Sequence, residues 1–138
     1  MIPSQYLVGK TVLHVDCKTF PCELNGENKQ LISRIDLYLG EQILVLEAKE
    51  ECCDLCWFEV QRPLEDLVGQ ILKEIVLLDP HVDLPLSGFK EVDYNRIVKV
   101  KLAEGDFTFI MRDSSNGYYS GYFSMILEQN TLKKEYLA

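Results

Sequence analysis

Histidine is scarce in this chain: His14 and His81 are the two in 138 residues. Nucleophilic catalysis by Ser or Cys needs a base and an orienting group beside the nucleophile. Cys53, His81 and Asp79 are the one combination at hand, and nothing in their spacing assembles it, so His81 reads as a solvated loop residue. Gly-rich phosphate loops, Asp-x-Asp pairs and His-Glu-x-x-His motifs are absent as well, which removes the common nucleotide and metalloprotease signatures. Long apolar runs are missing too. The longest reach four residues, as in Ile43 to Leu46 and Ile75 to Leu78, against the ~18–20 that a membrane-spanning helix needs. The start, Met1-Ile2-Pro3-Ser4-Gln5, lacks the basic and apolar regions of a secretory leader, so a cytoplasmic location is expected.

Positive charge is also in deficit. Lys and Arg total 14 against 22 Asp and Glu, a formal net charge of −8. Phosphate backbones and anionic lipid surfaces repel such a chain, so nucleic acid and membrane are disfavoured as partners. The expected partner is a protein, of basic character if the acidity serves recognition; the plainer role of the acidity is solubility. Five cysteines, an odd number, do not close into a disulfide framework and read as thiols in a reducing compartment.

What is present is ordinary for a folded domain: 47% hydrophobic and 26% charged residues, at a length typical of one domain spanning 1–138. There is no internal repeat, low-complexity run or linker. Alternation predicts strands at Thr11 to Cys17, Leu31 to Leu39, Gln42 to Ala48, Leu55 to Val60, Ile71 to Leu78, Asp93 to Leu102, Asp106 to Arg112 and Tyr118 to Leu127. Leu31, Ile35, Leu37 and Leu39 share one face, and Arg34, Asp36 and Tyr38 the other. Gly40-Glu41 suits a two-residue hairpin turn, Glu104-Gly105 a second turn, and Asn116-Gly117 a third hairpin. Ile71 to Leu78 is apolar enough to be buried on both faces. Pro63 to Gly69 reads as one or two turns of helix, with Pro at its start, acids in its first turn and Gly at its stop. Asp79 to Glu91 is a long irregular loop, and Glu128 to Ala138 a short helix or loose tail. The fold class is therefore mainly β (α+β): a curved antiparallel sheet or partly open barrel of seven to eight strands with one short helix.

Two stretches invite a functional reading. Cys53 and Cys56 form a Cys-x-x-Cys beside Cys52, but a zinc site usually needs a second pair. Cys17, Cys22 and His14 offer one only arithmetically. Redox Cys-x-x-Cys motifs open helices, whereas this one enters a strand. Small buried thiols are the simpler reading of Cys52, Cys53 and Cys56, and no cofactor is expected; a metal, if bound, would use those three. Carboxylates at Glu47, Glu50, Glu51, Asp54, Glu59, Glu65, Asp66 and Asp79 are spread over several elements and read as a solvated acidic face. The second stretch is the tip containing Arg112, Ser115, Asn116, Gly117, Tyr118 and Tyr119. Arg and Tyr among small polar residues have the composition of a recognition surface, and these six are the candidate binding residues. The plainer reading is turn chemistry followed by a strand.

The order of three patches carries a resemblance: Glu51-Cys52-Cys53-Asp54, then Leu64-Glu65-Asp66-Leu67-Val68-Gly69, then Ser114-Ser115-Asn116-Gly117-Tyr118-Tyr119. It resembles a family of small uncharacterised phage and bacterial proteins over residues 10–127, departing from it at Asp54-Leu55-Cys56 and in the Pro-containing loop before Asp93. The resemblance implies a compact strand-rich fold and no activity. The functional expectation is a non-catalytic binding protein, of immunity or phage-encoded inhibitor type, acting through an acidic surface. The alternative is a small-molecule sensor or sponge using a sheet pocket and the Tyr118/Tyr119 hairpin. A monomer and a homodimer are both open.

Overall fold

A computed structural model describes residues 2–24, 26–50, 55–83, 92–115 and 121–131. Among these residues, nine strands form one antiparallel sheet curled into a half-barrel: β1 His14–Leu24, β2 Glu27–Tyr38, β3 Gln42–Lys49, β4 Leu55–Glu59, β5 Leu72–Leu77, β6 His81–Asp83, β7 Val92–Leu102, β8 Gly105–Ser115 and β9 Tyr122–Gln129. Seven follow the order β5-β7-β8-β4-β2-β3-β9, while β1 pairs with β2 and β6 with β7. The expected fold class stands, with the eight predicted strands joined by a short ninth, β6, inside the segment read as an irregular loop.

Strand β2 is the branch of the sheet. One edge pairs with β1 along its whole length. The other edge is shared: Arg34 to Tyr38 pair with β3, and Ile32 alone pairs with Phe58 of β4. Two wings result, β1-β2-β3-β9 and β4-β8-β7-β5. A bulge marks the division, because Lys18 faces Arg34 and Thr19 faces Ile32, leaving Ser33 over. An extra residue of this kind bends its strand and sharpens the twist.

The inner faces of the wings meet in one core. Ile35, Leu37, Leu44, Leu46 and Ala48 come from the first wing, and Cys56, Phe58, Leu72, Val98, Val100, Phe107, Phe109 and Met111 from the second. Phe58 stands between the wings. Its ring meets Phe109 edge-on at 5.1 Å and Phe123 of β9 at 6.1 Å, geometries that aromatic quadrupoles favour.

The β2–β3 turn forms at Gly40-Glu41 as expected. Gly40 has φ 99°, and the Leu39 N–H donates to Gln42 O at 2.8 Å. Elsewhere the structure corrects the sequence reading. The first strand starts at His14, not Thr11: Thr11 bridges Ile71 instead, so the segment changes partner before β1 begins. The helix expected over Pro63 to Gly69 is one 3₁₀ turn, Leu64–Leu67, with Leu64 and Leu67 buried; residues three apart eclipse in that geometry. Strand β5 is not buried on both faces. Lys73 is exposed and only Leu72 and Ile75 are buried, because β5 ends the strand path. The second turn uses Ala103 and Glu104, with Gly105 opening β8 at φ 92°. Asn116-Gly117 lies outside the described residues, and the strands before and after it, β8 and β9, do not pair with each other. Both edges of β8 are taken, by β7 and β4, and β9 pairs with β3 instead. The end of the chain read as helix or tail begins as strand through Gln129. Asn130 then clamps the β2–β3 turn, its Nδ2 donating to Gly40 O at 2.9 Å and its N–H to Glu41 O at 2.8 Å. Among the described residues, no helix is long and apolar enough to cross a membrane.

Phe58→Ala removes the side chain that touches both wings. A loss of about 3–5 kcal/mol is expected, read as a fall in urea midpoint. Ile97→Ala, on the outer face and 43% exposed, is expected to stay within about 1 kcal/mol of the parent.

Candidate functional site

On the outer face of the first wing, register sets polar side chains in rows. His14 lies opposite Tyr38, Asp16 opposite Asp36 and Lys18 opposite Arg34. On the far side of β2, Tyr38 faces Ile43, Asp36 faces Val45 and Arg34 faces Glu47. Like charges directly opposite each other destabilise a sheet, so the Asp16–Asp36 pair needs neutralising partners. His14 Nε2 lies 2.8 Å from Asp16 Oδ1, and Arg34 Nε donates to Asp36 Oδ1 at 2.7 Å. Arg34 Nη2 also reaches Glu128 of β9 at 4.0 Å. The His14 and Tyr38 rings sit 5.3 Å apart. Burial, the Asp16 charge and a hydrogen bond from the Tyr38 hydroxyl to Asp16 push the Tyr38 phenol up to about 12. At neutral pH it is a fixed donor.

The network runs into an open groove of about 490 Å³ lined by Phe20, Ser33, Glu47, Ala48, Lys49 and Glu50. The branch produces this groove: β3 parts from β2 at the Ser33 bulge, and β4 takes its place. Glu50 is anchored there, its Oε1 accepting the Cys56 N–H at 3.3 Å. Lys49 Nζ lies 3.9 Å from Glu47 Oε1, a contact exposed enough to be weak. Apolar floor and carboxylate walls together suit a long cationic side chain, whose stem packs while its head pairs.

Of the six residues expected to bind, Arg112 is held within the second wing. It lies across from Trp57 and Asn95, donating from Nε to Glu59 Oε2 at 2.6 Å and from Nη1 to Asn95 Oδ1 at 2.8 Å. Its side chain is 14% exposed, so it is a strut between strands rather than a contact at a loop tip. Ser115 ends β8 opposite Val92. Asn116, Gly117, Tyr118 and Tyr119 lie outside the described residues, as do Cys52 and Cys53. Cys56 is fully buried in the core. His14 and Cys17 project to opposite faces of β1, facing Tyr38 and Ile35 respectively, so the mixed Cys/His site is not assembled. Local desolvation, followed by the Glu65, Asp16 and Asp36 charges, pushes the Cys17 thiol up, away from the nucleophilic thiolate. Among the described residues, no group of three metal-ligating side chains converges. The concave side, which a small-molecule sensor would use as its pocket, is filled by Phe58, Phe107, Phe109 and Met111.

Sequence reasoning missed the Asp16, Phe20 and Ser33 contributions. The alternation of Arg34, Asp36 and Tyr38 was the legible half of the network; the cross-strand register was not.

Absorbance titration at 295 nm is expected to show a phenol step near pH 12, absent in Tyr38→Phe and shifted toward 10 in Asp16→Asn. The folded state holds this proton more tightly than the unfolded chain. Its contribution to stability is therefore full below pH 10 and is lost as pH rises from 10 through about 12.

The family model for a domain of unknown function, DUF7448, matches residues 5–125. The uncharacterised protein L278 of Acanthamoeba polyphaga mimivirus is 33% identical over 84 residues, covering 59% of this chain and 66% of the viral protein. The match thus spans slightly less than two thirds of that relative. No solved structure matches the chain. With most of its length covered by the family model, this chain belongs to the DUF7448 domain family.

Proposed function

We propose that this protein is a non-catalytic binding protein whose partner is a basic protein, engaged at the groove where the sheet branches. One observation carries the reading: Glu47 and Glu50 flank an open groove with Phe20 and Ala48 in its lining. A Lys or Arg side chain entering there would displace the weak Lys49–Glu47 contact. It would gain two carboxylates already placed by the β3 register and the Cys56 N–H. The bonded Arg34–Asp36 pair beside the groove stiffens its rim without competing for the ligand.

The net charge of −8 supports the same reading. It would speed the approach of a cationic partner and repel nucleic acid that competes for the same basic surface. An inhibitor or immunity protein works in this way, covering a basic protein by steered and salt-sensitive association. The mechanism needs no bond chemistry from this chain, only a fixed surface of suitable charge.

A random peptide display library panned on the full chain tests the proposal. Recovered peptides are expected to share a Lys or Arg next to an apolar residue. Their affinity should fall about tenfold or more between low and moderate salt, and by a similar factor in Glu47→Gln/Glu50→Gln. Peptides without basic residues, or binding indifferent to the double variant, would refute the groove.

A further inference from the structure

Among the described residues, the borders at β1, β5 and β9 differ in what protects them. The β1 border carries Lys18 and Pro21, devices that discourage further pairing. The β5 border is capped at its start by the segment before β1: Gly9 N–H donates to Leu72 O at 2.9 Å, Leu72 N–H to Lys10 O at 2.8 Å and Val12 N–H to Gln70 O at 2.9 Å. Among the described residues, strand β9 has neither kind of protection. Among the described residues it pairs with β3 alone. From Tyr122 to Leu127 it reads Tyr-Phe-Ser-Met-Ile-Leu, with no charge and no proline. Tyr122 is 51% and Ile126 44% exposed on the outer face, while Phe123, Met125 and Leu127 are half-buried on the inner face.

The backbone direction follows from the register. Leu39 and Gln42 form the hydrogen-bonded pair closing the β2–β3 turn. Alternation then aims the amides of Leu44 and Leu46 at β2, and those of Ile43, Val45 and Glu47 at β9. On β9, Ser124, Ile126 and Glu128 consequently bond to β3. The N–H and C=O groups of Phe123, Met125 and Leu127 point away from it, to the open border.

We propose that this border is completed by a second copy of the chain, β9 pairing antiparallel with β9 of the partner about a twofold axis at Met125. The register is self-complementary. Phe123 meets Leu127 of the partner subunit, Met125 meets its own equivalent, and the three outward-pointing residues of each strand form hydrogen-bonded pairs. The charges also fit. Glu128 of the partner subunit falls opposite Tyr122, and Tyr122 is flanked by Lys49 of β3 on the same face. Lys49 and the partner's Glu128 are then two strands apart, roughly 10 Å between Cα atoms, within reach of two long side chains. The twofold axis makes this contact twice and brings neither Glu128 nor Lys49 opposite its own copy. The result is a continuous eight-stranded face, β1-β2-β3-β9 and its equivalent.

Sedimentation velocity of the full chain tests this. At about 100 µM the parent should sediment with the mass of two chains. Met125→Pro should sediment as one chain with an unchanged far-UV spectrum, because the lost N–H faces the open border and not β3. Lys49→Glu should weaken the dimer about tenfold, and Lys49→Glu/Glu128→Lys should restore it. The charge exchange tests the same contact with an unaltered backbone. A parent that stays monomeric at that concentration would overturn the proposal. So would a dimer that survives Met125→Pro, or a double exchange that does not restore what Lys49→Glu loses.

Discussion

Besides the segment before β1, which bonds to both Leu72 and Tyr38, one ladder pair among the described residues, Ile32 with Phe58, joins the two wings of this sheet. Such a narrow joint would be weak if hydrogen bonding alone held it, since one bond contributes only about 1 kcal/mol net. The Phe58 ring supplies the rest. Buried to 2% exposure and wedged between Phe109 of one wing and Phe123 of the other, it turns the joint into a packed core.

The branch also explains where the polar groups collect. A regular sheet would have continued β3 along the whole of β2. Here the Ser33 bulge ends that pairing, and the space left between the strands becomes the groove lined by Glu47, Lys49 and Glu50. Beside it, two aspartates are forced opposite each other by register, Asp16 within hydrogen-bond distance of His14 and Asp36 paired with Arg34. This network is a fixed polar surface: Arg34 and Asp36 are committed to each other, and the Tyr38 phenol holds its proton. A surface of that kind recognises a partner by shape and charge, which is the role we propose for this DUF7448 domain.

Local features of the fold were legible and distant ones were not. Gly40-Glu41 and its flanking strands could be read because a two-residue turn and strict alternation agree there. The outer end of the β1–β2 hairpin was invisible, since Gly26 to Gln30 is polar and exposed on both faces and so carries no period. Asn116-Gly117 has the composition of a hairpin turn, yet β8 had no free edge to offer the following strand. Composition shows where a chain can turn; it does not show which strand has an edge left. The same limit explains the site. Arg112 was recognised as a residue apt for binding, but Glu59, its partner 53 positions away, fixes it as a strut. Asp16 and Arg34 became a network only through a register that no local pattern encodes.

The strand order is the claim on which the groove, the polar network and the open border all rest. A nitrogen-edited nuclear Overhauser spectrum of the labelled full chain measures it directly. Cross-strand backbone contacts linking Val45 with Ile126, and Ile32 with Phe58, are the predicted result. A run of contacts pairing β8 with β9 across Asn116-Gly117, with none between β3 and β9, would contradict it.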